Sequence, residues 1–122
     1  MPSKQEHLNQ ADKNERFYGL CDLDNSEFLD WAVTALFYSV LHYVDAFLAE
    51  QLNYHPLDHQ HRTPSVAKLD QLNPIHREYM RLKDESEKAR YKIKHFTPSS
   101  VRQLERDRFQ TAKNHLQALF RP

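Results

Sequence analysis

The chain has 122 residues and balances 17 Lys and Arg against 17 Asp and Glu, so it carries no overall field for a polyanion. That length suits one domain, residues 1–122, with enough chain to bury a core without metals or disulfides. A lone cysteine, Cys21, excludes an intrachain disulfide and fits a reducing compartment, and a lone glycine, Gly19, excludes the Gly-rich loops that cradle phosphates and dinucleotides.

The opening residues, 1–16, are polar and hold no apolar core, so no signal peptide is read there. Ser3 and Glu6 form a capping-box pattern for a first helix over 3–18, with Gly19 as its natural stop. The apolar content of that helix is thin (Leu8, Ala11, Phe17 and Tyr18), which puts it on the outside of a bundle. A second helix is expected over 25–52, with Asp24 and Glu27 as its cap. Apolar residues from Phe28 to Leu48 cover most of its circumference, the mark of a central helix. Thr34, Ser39, His42 and Asp45 interrupt the run, so it reads as a core helix and not as a membrane span. Asp30, Thr34, Tyr38, His42 and Asp45 recur at steps of four and three and share one polar stripe.

Residues 53–64 read as a loop. Within it His55, Asp58, His59 and His61 have the donor types of a zinc site, but their spacing matches no zinc signature. A polar loop whose histidines cap neighbouring helices is the plainer reading, and no metal is assigned. Thr63 as cap and Pro64 in the first turn open a short helix over 65–72, and Asn73 with Pro74 repeats that signal for a helix over 75–94. In the latter, Ile75, Tyr79, Leu82, Ser86, Ala89 and Ile93 form a core stripe with one polar member. Thr97 and Pro98 cap a last helix with Val101, Leu104, Ala112, Leu116 and Leu119 facing inward. Its Arg102, Arg106 and Arg108 interleave with Glu105 and Asp107, as on a solvated face. No strand pattern appears, so the expected fold is all-α, an up-and-down bundle of four main helices plus a short helix.

Phe37, Tyr38, Ser39 and His42 in the central helix resemble the second helix of HEPN domains, small helical bundles of toxin–antitoxin and defence systems. The His-bearing loop "HPLDHQHR", the "ARY" near the end of the next long helix and the last helix opening with "TPSSVRQLERDRF" follow the same pattern. The resemblance covers 27–119 and implies a HEPN-like bundle, a cytoplasmic homodimer without a cofactor or a membrane, and a nucleotidyltransferase-type partner protein. For the catalytic branch it implies a metal-independent endoribonuclease acting on RNA through an arginine followed, four to six residues on, by a histidine. Arg90 and His95 stand at that spacing. Arg90 would hold the scissile phosphate with its planar fork, and His95 would be the acid or base near neutral pH. The resemblance also sets His59 or His61, with Arg62, beside the central helix, where Tyr38, His42 and Asp45 complete a set of binding residues, Asp45 orienting His42.

Two alternatives stand beside this reading. Chance supplies about two such Arg–His spacings in a chain of this composition, and Arg108 with His115 is a second one. On an unbroken helix five positions turn by about 140°, so Arg90 and His95 converge only if the helix loosens before Thr97 or a second subunit completes the site. Lys88, Arg90, Lys92, Lys94 and His95 would otherwise simply place positive charge at a helix C-terminus. A non-catalytic module would instead bind a partner protein, or a nucleotide through Tyr38, His42 and the loop from His55 to Arg62. The polar stripe is then a pocket wall, or else a satisfied layer inside the bundle.

Overall fold

The computed structural model describes residues 1–120. Among them the chain forms α1 (Lys4–Gly19), α2 (Leu29–Leu52), α3 (His59–Lys68), α4 (His76–Tyr91), and a last rod in which α5 (Pro98–Leu104) and α6 (Gln110–Ala118) are joined by a π-helical turn, Glu105–Phe109. The described residues thus make five helical rods and no strand, so the chain is all-α.

α2 organises the rest. Its sequence has no Gly, Pro or Asn to interrupt the hydrogen-bond ladder, and apolar side chains occupy nearly every face. α1, α4 and the last rod all pack on it. Phe37, Val40 and Val44 of α2 meet a core that includes Tyr79, Leu82, Phe109 and Leu116. Each such large side chain contributes about 1.5–3 kcal/mol by leaving water. α2 is long and apolar enough to cross a membrane, but 83% of its most apolar window is covered by the protein's own helices.

α1 starts as expected. Ser3 Oγ accepts the Glu6 amide at 3.1 Å, and Glu6 returns the bond to the Ser3 amide at 3.0 Å. The narrow buried face of α1 is His7 and Ala11, and Ser39 of α2 donates to the Ala11 carbonyl at 2.8 Å. Gly19 ends the helix without a left-handed turn; Leu20 closes it in the right-handed region.

Four boundaries differ from the sequence expectation. α2 begins at Leu29, not at 25, because Asp22, Asn25 and Ser26 hydrogen-bond among themselves and to nearby backbone, competing with the helix. Asp24 therefore caps nothing and pairs with Arg102 at 2.7 Å, while Glu27 is exposed. α3 begins at His59, with Asp58 as its cap accepting the His61 amide at 3.0 Å. Thr63 is consequently helical and Pro64 lies inside the helix, which ends at Lys68 where Leu69 turns extended. α4 follows a 3-10 turn, Asn73–Ile75, and ends at Tyr91, not at 94. Beyond it Ile93 sits at φ 48° and is 84% exposed, so it leaves the core stripe that Ile75, Tyr79, Leu82, Ser86 and Ala89 do form. The buried Glu85 carboxylate accounts for that reversal: Lys94 turns back to reach it at 2.6 Å.

The last rod opens on Thr97 and Ser100, which bond reciprocally at 3.0 Å. Its core positions are Val101, Leu104, Phe109, Ala112 and Leu116. The five-residue step from Leu104 to Phe109 cannot stay on one face of a regular helix, and the π turn absorbs the extra residue.

Candidate functional site

Two groups of polar side chains border α2. The first lies between α1, α2 and α3. Asp45 and Arg62 are 5% and 7% exposed, and the guanidinium grips the carboxylate with both arms, Nε to Oδ1 at 2.7 Å and Nη2 to Oδ2 at 3.0 Å. Burial disfavours the Arg62 charge, but the Asp45 carboxylate more than offsets it and raises its pKa. The third arm of the guanidinium faces His59 Nδ1 at 3.4 Å. The His59 ring lies against Phe37 with centroids 5.6 Å apart. Burial first, and then the Arg62 charge, lower its pKa. Beneath this network Tyr79 is fully enclosed, and burial pushes its phenol up to about 12. The Tyr79 hydroxyl, Thr63 Oγ1 and His55 Nδ1 are buried without a protein hydrogen-bond partner.

His42 stands in the same polar stripe of α2 but turns to α1. Its Nδ1 lies 3.0 Å from His7 Nδ1, so one ring carries its proton on Nδ1 and the other accepts there. Burial, and then His7, push His42 down to about 4, and burial lowers His7 as well. Both imidazoles are therefore neutral at pH 7. Asp45, expected to orient His42, is instead clamped by Arg62, and His7 orients His42.

The second group lies at the C-terminal end of α4. Arg90 donates from Nη1 to the Tyr38 hydroxyl at 2.6 Å and from Nε to the Ser86 carbonyl at 3.2 Å. Its guanidinium carbon is 5.2 Å from the Tyr38 ring centroid and 5.0 Å from that of Tyr91. Two of its five N–H groups are thus committed, and three remain to meet an anion. His95 is exposed in the segment after α4 and lines one surface hollow with Arg90, Lys94, Asp30 and Glu27.

The residues anticipated as binding groups therefore fall into separate places. Asp45, Arg62 and His59 form one network, His42 belongs to the histidine pair, and Tyr38 serves Arg90. His61 is exposed and pairs with Asp58 at 2.6 Å, within the cap of α3. Among the described residues the loop set His55, Asp58, His59 and His61 does not converge on a common point; the group that does is His7, His42 and Asp45. His7 escapes a sequence reading because a lone histidine in a polar helix looks solvated. Its one signal is the step of four to Ala11, the small residue that lets α1 approach α2.

No family profile, curated protein or solved structure matches the chain.

Proposed function

We propose that the chain is a HEPN-type endoribonuclease that cleaves RNA without a metal, using Arg90 and His95. The observation that carries this reading is the end of α4. The helix stops at Tyr91, and the left-handed backbone at Ile93 breaks the helical turn that would send the two side chains apart, so both border one hollow. Tyr38 and Ser86 fix the guanidinium with its remaining donors free for a phosphate. His95 removes the proton as a ribose 2′-hydroxyl attacks phosphorus, or protonates the departing 5′-oxygen. The products are a 2′,3′-cyclic phosphate and a 5′-hydroxyl. Glu27 and Asp30 border the same hollow and oppose a phosphate, and Lys94 is already paired with Glu85, so Arg90 must outweigh them. A cytoplasmic homodimer, with RNA entering between two copies, suits this reading.

The decisive experiment incubates the protein with structured and unstructured RNA in excess chelator, beside His95→Ala and Arg90→Lys. Cleavage by the wild type alone, with cyclic-phosphate ends, supports the assignment. No cleavage by the wild type, or equal cleavage by all three, overturns it.

A second reading has its own support. Phe17, Phe28 and Trp31 are 48%, 58% and 55% exposed, and Phe17 and Trp31 flank a groove reaching Tyr38 and His42. Such aromatics suit a non-catalytic module that binds a partner protein, of which a nucleotidyltransferase-type protein is one candidate.

A further inference from the structure

The histidine pair is the most unusual chemistry outside the proposed active site. His7 comes from α1 and His42 from α2, and nothing in the ribonuclease reading uses them. We propose that His7, His42 and Asp45 bind a divalent transition-metal ion of the zinc class, which ties α1 to α2.

The geometry is close to what such an ion requires. The two Nδ1 atoms are 3.0 Å apart, and His7, His42 and Asp45 each bring one ligand atom to within 4.8 Å of the others. Two nitrogens at about 2.0–2.1 Å from a tetrahedral zinc are roughly 3.3 Å apart, so the rings open by only a few tenths of an ångström. The carboxylate ligates through a lone pair that Arg62 does not occupy, or through one bridging water. Arg62 then acts as an outer partner that fixes the carboxylate, at the cost of a nearby positive charge. Access exists from the surface, because a hollow bordered by Glu6, Gln10 and Lys13 opens onto both histidines. A water from that hollow supplies the fourth position.

The donor set selects the metal. Two imidazoles suit zinc, cobalt, nickel or copper, whereas magnesium and calcium prefer an all-oxygen shell. Proton competition is weak at pH 7, since burial holds both rings in the neutral form that a metal requires. The ring that begins with its proton on Nδ1 moves it to Nε2, so no net proton need be lost. Because the ligands come from two helices, the bound ion stabilises the folded chain over the unfolded one.

The test titrates chelator-stripped protein with Co2+, whose visible absorption reports nitrogen ligation, and follows displacement by Zn2+. The expected result is saturation at one equivalent, a thermal midpoint raised by roughly several degrees at saturation, and at least about tenfold weaker binding in His7→Gln and in His42→Gln. His61→Gln, on the exposed first turn of α3, should bind as the wild type does. Should His42→Gln fail to fold, the ring resonances of the wild-type histidines decide the matter: Zn2+ must shift those of His7 and His42. Shifts confined to His55, His59 or His61, wild-type affinity in His7→Gln, or binding that never saturates would each overturn the site. None of these readouts depends on RNA cleavage, so this inference and the ribonuclease reading fail independently.

Discussion

Removing the Arg62 side chain tests the idea that the polar stripe of α2 is an electrostatically closed layer. In Arg62→Met the stem is replaced by an apolar chain of similar length, but the Asp45 carboxylate, 5% exposed, loses both hydrogen bonds that neutralise it. Leaving one charge of a buried pair without its partner costs about 3–5 kcal/mol. With a urea slope of about 2 kcal/mol/M for a domain of this size, the midpoint should fall by roughly 1.5–2.5 M. The companion variant Asp45→Leu/Arg62→Met removes both charges and should recover most of the loss, since apolar replacement of a buried pair is often neutral. Urea unfolding followed by circular dichroism, at pH 7 in chelator, measures all three proteins. If Arg62→Met loses less than about 1 kcal/mol, or the double variant is no better than the single, the carboxylate is not held by Arg62 in the way described.

Three further outcomes follow from particular contacts. In metal-free protein, His42 has a folded pKa of about 4 against an ordinary 6.5, with His7, Asp45 and Arg62 as its charged or titratable surroundings. The unfolded chain therefore takes up the proton first; stability is complete above pH 6.5 and is lost as pH falls through 4. The loss is about 2 kcal/mol after discounting for partial exposure, and urea midpoints across that window should flatten in His42→Gln. Ser39→Ala removes a buried bond between α2 and the Ala11 carbonyl and should cost about 1 kcal/mol by the same unfolding assay. Ile93→Gly should raise the thermal midpoint, because a β-branched residue at φ 48° carries about 1–2 kcal/mol of strain that glycine lacks, and an 84% exposed side chain gives up little packing; an unchanged or lowered midpoint counts against that strain.

The all-α class and the central position of α2 were legible because apolar residues cover that helix on nearly all sides. The capping box at Ser3 and the cap at Thr97 were legible because their bonds are local. What escaped the sequence depends on distant partners. Nothing near Ile93 foretells that α4 ends early, since the cause is Lys94 reaching a buried Glu85 nine residues earlier. Thr63 reads as the cap of α3, whereas Asp58, placed in the loop by the sequence reading, is the residue that caps it, with Arg62 and Val66 as the buried positions of the longer helix. Phe109 was not expected in the core, because a five-residue step fits no regular helix. Of the candidate binding residues, the stripe showed that Tyr38, His42 and Asp45 share a face. It did not show that each faces a different helix, with His7, Arg62 and Arg90 as the partners.

The π turn at Glu105–Phe109 bears on which changes in chain length this protein can absorb. Deleting one residue between Leu104 and Phe109 would leave a four-residue step, which a regular helix keeps on one face, so Ala112 and Leu116 would stay packed on α2. A deletion in the regular turns on either side would instead rotate everything beyond it by about 100°, so the rod tolerates a shorter chain only at the π turn. Residues 53–58, which join α2 to α3 outside regular structure, are where insertions can be accommodated at small entropic cost.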